Sequence, residues 1–268
     1  MTTGATIDAV NRRTMSMVVA HYGYRDDLHP SEIAALDTVV ERVKGRRMLD
    51  LGVGGGRTVK GLRQISPDYV GVDFVSEMVD YCRKRFPDVR FEHGDARSMP
   101  QFADASFDLV VFSCNGICMV DHAGRISILS EVRRLLAPGG YFVFSTSNRN
   151  DPDAGRFRWP TLKLTANPIR LAVRGSRCLS HAVYRVFNRW RFKPSEIRTA
   201  EYAILNDRSH NFRTMHYFIT LDQQRKQLRE NGFVDLRVFD EHGKPVERDT
   251  THGTMTLVVQ AAADAPRT

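Results

Sequence analysis

The chain has 268 residues, of which 42% are hydrophobic, 26% charged and 9% aromatic, proportions that exclude disordered and fibrous classes. No run approaches the roughly 18 to 20 apolar residues of a membrane span, and the start, MTTGATIDAVNRR, has no apolar stretch behind a basic one, so a cytoplasmic location is expected. The net charge is +8, and residues 151–200 hold eleven Lys or Arg against three Asp or Glu, a surplus equal to the whole, so an acidic partner would be met there. The four cysteines, Cys82, Cys114, Cys118 and Cys178, form no C-x-x-C pair and have no companion histidines at zinc spacing, so neither a metal site nor a disulfide frame is expected.

Taken in chain order, apolar runs at 47–51 and 69–72 end at Gly or Asp, runs at 89–92, 107–113 and 141–146 follow, and helix-like segments alternate with them. A helical pattern over 126–136 is closed by Pro138-Gly139-Gly140, because proline cannot continue a helix and glycine supplies a left-handed stop. The rhythm breaks near Asn148, then resumes with a helix over 220–231 and strands near 234–239 and 254–260. This order predicts an α/β fold: a Rossmann-like, seven-stranded, doubly wound sheet built from residues 45–147 and 221–262, with an α+β insertion, 148–220, after the fifth strand. Inside the insertion Val183, Val186, Phe187 and Trp190 recur at helical spacing while His181, Arg185 and Arg189 share another face. Residues 200–205 and 211–220 alternate as an antiparallel pair around Asn206-Asp207.

The chemistry is carried by Met48-Leu49-Asp50-Leu51-Gly52-Val53-Gly54-Gly55-Gly56, an acid at a strand end followed by glycines. Glycine lets the turn adopt positive φ and lets a ligand lie against the backbone, with the next helix aiming its amides at the site. A dinucleotide loop beginning at Gly52 would need a third glycine where Arg57 stands. The second strand ends at Asp73, about twenty residues on, beside the same crevice, where a carboxylate can accept both hydroxyls of a ribose. The third leads into Gly94-Asp95-Ala96, which offers a carboxylate and a backbone amide to an adenine edge.

With Phe107-Asp108-Leu109-Val110-Val111 and Leu135-Leu136-Ala137-Pro138-Gly139-Gly140, these motifs resemble class I S-adenosylmethionine (SAM)-dependent methyltransferases of the small-molecule and ubiquinone-type group, over residues 45–147. The resemblance implies SAM as cofactor and a small-molecule acceptor. It assigns the glycine loop, Asp50, Gly52, Val53 and Gly54, to the methionine moiety, Asp73 to the ribose, Phe74 and Met78 to the adenine faces, Asp95 and Ala96 to its edge, and Ser113 to the neighbourhood of the sulfonium. Val75 stands where members often carry serine. Residues 1–44 would form a helical segment covering the cofactor.

Transfer from a sulfonium is an in-line displacement, so the protein must align the acceptor, exclude water and, for a hydroxyl or ammonium, remove a proton. Candidates for the base are His122, His216 and Tyr22. The insertion is read as the acceptor-binding cap, with Trp190, Tyr217, His210, Arg185 and Arg189 as candidate contacts, joined by Asn115 after the fourth strand. The expected reaction is methylation of an oxygen or nitrogen of a metabolite, such as one in natural-product biosynthesis, with the arginines offsetting any negative group it carries. An RNA or tRNA methyltransferase would also be basic, yet Ser113-Cys114-Asn115-Gly116 stands where an Asn-Pro-Pro-Tyr-like tetrad would be, which argues against a nucleic-acid substrate. A SAM-binding protein without turnover is equally compatible with the motifs, as is a cyclopropane-forming or aminopropyl-transferring relative on the same fold.

Overall fold

A computed structural model describes residues 4–17 and 26–262. The helices are α1 (Gly4–Met17), α2 (Pro30–Asp37), α3 (Val40–Val43), α4 (Val59–Ile65), α5 (Ser76–Arg85), α6 (His122–Leu135), α7 (Pro168–Phe192) and α8 (Leu221–Glu230). The strands are β1 (Met48–Leu51), β2 (Tyr69–Asp73), β3 (Arg90–His93), β4 (Phe107–Phe112), β5 (Leu136–Asn148), β6 (Ile197–Arg198), β7 (Tyr202–Asp207), β8 (Thr214–Ile219), β9 (Phe233–Phe239) and β10 (Thr254–Ala261).

Every residue of β1 and β2 is buried, as expected of parallel strands covered on both faces. The core order is β3-β2-β1-β4-β5-β10-β9, parallel as far as β5 and antiparallel from β10 on. Alternate residues feed two apolar layers: Leu49, Leu51, Val110, Phe112, Phe142 and Phe144 one, Met48, Leu109, Val111, Tyr141 and Val143 the other. Each large side chain so buried stabilises the fold by about 1.5–3 kcal/mol in area terms. The helix before β5 ends at Leu135, so Pro138-Gly139-Gly140 does not close it; that triplet lies in β5 itself, with Gly139 at φ +76°.

The insertion is not a body apart from the sheet. β10 occupies one edge of β5 out to Ser147, and β4 leaves the other edge at Phe112. β8 takes the vacated edge, pairing Ser147 with Phe218 and Asn148 with Ile219, and β7 and β6 follow outward. The two hairpin strands meet across residues 208–213 rather than at Asn206-Asp207, which still belong to β7. The helix of the insertion is longer than its apolar repeat suggests, starting at Pro168 behind Asn167, whose side chain accepts from the Arg170 amide. Helix α1 lies against β8, pinned by buried Asn11, whose amide donates to Met119 O and Met215 O at 2.8 Å each and accepts from the Met215 amide at 3.0 Å.

Candidate active site

A cavity of about 600 Å³ opens at the carboxyl ends of the central strands, where ligands of open α/β sheets bind. Its floor is the loop after β1. Gly52, Gly54 and Gly56 have φ of +62°, +55° and +82°, and a Cβ built on Gly54 would meet only the loop's own Gly52 carbonyl, at 3.9 Å. The backbone at Gly54 is therefore bare toward the cavity.

Asp73 stands at the end of β2 with both carboxylate oxygens anchored: Oδ2 accepts from the Gly54 amide at 2.8 Å and Oδ1 from the Val75 amide at 2.9 Å. Burial pushes its pKa up, although those amides pull the other way. Each oxygen keeps a lone pair for a hydroxyl. Gly52, Val53, Phe74, Met78, Ala96 and Ser113 also line the cavity. Asp50, expected with them, lies behind the loop: its Oδ2 accepts from Thr58 Oγ1 at 2.5 Å and Tyr69 Oη at 2.7 Å, and burial, partly offset by these donors, raises its pKa to about 6. It braces the loop and does not touch the cavity. Asp95 lines the cavity, but Arg97 engages both its oxygens, Nε to Oδ1 at 2.9 Å and Nη2 to Oδ2 at 2.6 Å, and also pairs with Asp8 of α1. The carboxylate expected at the adenine edge is thus already held by a guanidinium.

Opposite the glycines the wall comes from the insertion and α1. The pleat of β8 sends His216 and Phe218 into the cavity and Met215, Tyr217 and Ile219 into the core beneath. The His216 ring is 13% exposed, its Nδ1 lies 4.0 Å from Asp207 Oδ1, and its Nε2 is buried without a partner among the described residues. Burial lowers its pKa, with the Asp207 carboxylate acting in the opposite sense. For Asp207 burial acts upward, but His216, followed by Ser209, brings the net shift down. Ser113 Oγ and Asn115 Oδ1 are likewise buried and unpartnered. Asn115, at φ +57°, and His210 line the same space.

Five other expected contacts lie elsewhere. Tyr217 points away from the cavity: its hydroxyl lies 2.9 Å from His122 Nδ1, and the Arg125 guanidinium covers its ring at 4.6 Å. His122 stacks on Tyr202, with centroids 4.4 Å apart, outside the cavity lining, and burial lowers its pKa. Arg189 donates to Glu196 Oε1 at 2.5 Å and to Gly155 O at 2.7 Å, and Arg185 to Asn211 Oδ1 and Arg158 O; both fasten α7 to its surroundings. Trp190 is 75% exposed on the far side of that helix. Tyr22 lies outside the described residues. Among the residues missed in the sequence are Asp8, Arg12 and Asp207, which reach the cavity from segments with no motif, and Arg97, which directly follows Gly94-Asp95-Ala96.

The strand order, the bare glycine turn and the acid at the end of β2 are the arrangement that the resemblance to class I, SAM-dependent methyltransferases leads one to expect. Residues 48–140 match the family model described as a methyltransferase domain. The chain is 41% identical over 116 residues to a demethylmenaquinone methyltransferase of Beutenbergia cavernae, covering 42% of this chain and 46% of that one. It is 34% identical over 127 residues to a fatty-acid O-methyltransferase of Mycolicibacterium smegmatis, covering 46% and 43%. The matched region spans less than half the length of these relatives. Over nearly the full chain the fold resembles the 1,6-didemethyltoxoflavin-N1-methyltransferase of Burkholderia thailandensis, with TM-score 0.59 at 14% identity and 98% and 92% coverage.

Proposed function

We propose that the chain transfers a methyl group from SAM to an oxygen or nitrogen of an apolar small molecule, with His216 as the base. The observation that carries this is His216 in the wall of the cavity whose floor is the bare glycine turn, with its Nε2 buried and without a hydrogen-bond partner among the described residues. Bound SAM supplies an electrophilic methyl on its sulfonium. The residues fit it: Gly54 leaves room at the backbone, Asp73 retains acceptor capacity for ribose hydroxyls, Phe74 and Met78 offer apolar faces to adenine, and Ser113 Oγ awaits a partner.

On the acceptor side, Met15, Met119, Val120 and Phe218 supply an apolar surface. Three of the four arginines lining the cavity have carboxylate partners: Arg57 with Glu32, Arg97 with Asp95 and Asp8, and Arg208 with Asp153. An acidic acceptor finds little spare positive charge, so an uncharged one such as the quinone in one relative's name fits best, and the fatty acid in another's shares the apolar chain but not the neutral head. The lowered pKa keeps the His216 ring neutral near pH 7, so Nε2 can accept the acceptor's proton, and Asp207 then stabilises the imidazolium across 4.0 Å.

The test is S-adenosylhomocysteine release with a panel of quinols, phenols and fatty acids, comparing His216→Gln with the parent. Loss of about 100- to 1000-fold in kcat with SAM affinity retained is expected for removing a general base. A His216→Gln enzyme as fast as the parent would remove the base assignment, and absence of any transfer with SAM bound would leave a binding protein.

A further inference from the structure

Helix α7 is turned the wrong way round for a helix in water. Ile169, Leu179, Val183, Phe187 and Trp190 fall on one face and are 76%, 68%, 61%, 51% and 75% exposed. Its polar side packs inward instead: buried Asn188 donates to Asn211 O at 2.9 Å, and Arg185 and Arg189 make the bonds described above. Trp159, itself 66% exposed, lies in the segment leading to the helix and meets Phe157 edge-on.

The charge around this stripe has one sign. Neither the helix nor any residue between Asp153 and Glu196 is acidic, while Arg170, Arg177 and Arg191 stand exposed along one border of the apolar face and Arg174 and Lys163 lie nearby. A second copy docked symmetrically through this face would set arginine against arginine with no carboxylate between them. An anionic lipid surface satisfies both features, taking the apolar residues and tryptophans into the headgroup boundary and the arginines onto phosphates. No described helix is long and apolar enough to cross a membrane. We infer that α7 with Trp159 is a docking surface for an anionic lipid membrane, lying in its plane. Because α7 is bonded to Asn211, next to the cavity-lining His210, docking would bring the cavity rim to the lipid.

Trp159 and Trp190 are the two tryptophans of the chain, so its intrinsic fluorescence reports on this surface alone. The full chain is mixed with phosphatidylcholine vesicles, with and without phosphatidylglycerol, and followed by flotation and tryptophan emission. Expected are flotation and a blue shift with the anionic vesicles, weakened by salt, and a loss of roughly tenfold or more in partitioning for Arg170→Glu with Arg177→Glu. Leu179→Glu with Phe187→Glu keeps both tryptophans, replaces solvent-exposed side chains, and should abolish binding with thermal melting unchanged. Failure to float with anionic vesicles overturns the inference, as does equal binding to neutral ones. Self-association in sedimentation equilibrium that the Leu179/Phe187 variant removes would assign the face to a second copy. Vesicle binding needs neither SAM nor acceptor, so its failure leaves the methyl-transfer reading standing.

Discussion

Replacing Asp50 by Asn should remove a pH dependence of stability that the parent protein carries. Folding buries this carboxyl behind the glycine loop, leaves Oδ1 without a partner and raises its pKa from the ordinary 3.8 to about 6. A raised pKa means that the folded state holds the proton more tightly than the unfolded one. The contribution is therefore fully present below pH 3.8 and is lost as pH rises through about 6. A shift of about two units, at about 1.4 kcal/mol each, makes that loss on the order of 3 kcal/mol. Asparagine does not titrate in this range, and the protein's other groups are common to both chains and largely cancel in the difference. Urea unfolding of the pair between pH 4 and 7 should show the stability of Asp50→Asn relative to the parent rising by about 2 kcal/mol, most of that loss, whatever its starting offset. Parallel curves would refute the burial argument and with it the bracing role given to Asp50.

Asp73→Ala removes the acceptor for two ribose hydroxyls, and a loss of about 3 kcal/mol, roughly 100-fold in SAM affinity by calorimetry, is expected. Arg189→Ala leaves the half-buried Glu196 carboxylate with only Arg198 at 3.5 Å and the Asn206 amide at 3.3 Å, and should cost about 1–2 kcal/mol in denaturant melts, with the acceptor KM unchanged in steady-state kinetics. His122→Ala, outside the cavity, should lower the melting temperature and leave kcat within about twofold, since its loss removes the stacking on Tyr202 and Tyr217 and the contact with the Tyr217 hydroxyl but no proton carrier of the cavity. In Asp207→Asn the neighbouring charge that favours imidazolium is gone, so the acid limb of the kcat/KM profile should move to lower pH.

The cofactor half was legible in the sequence because its signals are local. Parallel strands buried on both faces leave apolar runs, and the turn after β1 needs glycines within a few residues of one another. The acceptor half depends on long-range choices. Whether His216 or its neighbour Tyr217 faces the cavity is decided by which edge of β5 the hairpin joins and in what register, and no pattern within β8 states that. For α7 the period was readable, but which side of the wheel faces the protein was not: Arg185 and Arg189 found carbonyl and carboxylate partners inward, and Trp190, expected among the acceptor contacts, was left outside. That Asp95 is paired was not legible, because Arg97 gives no signal of the pairing and its further bridge to Asp8 spans 89 positions.

The fork in the sheet at the end of β5 has an evolutionary meaning. The hairpin β7–β8 pairs with the central sheet at Ser147 and Asn148 alone, although Ile204, Met215, Tyr217 and Ile219 join one of its apolar layers. Insertions and replacements beyond that fork can reshape the pocket that receives the acceptor without unpairing any strand beneath the methyl donor. The family match ending at residue 140, a few positions short of the fork, is what such a division of labour would leave behind: an inherited donor platform carrying a graft that each lineage is free to redraw.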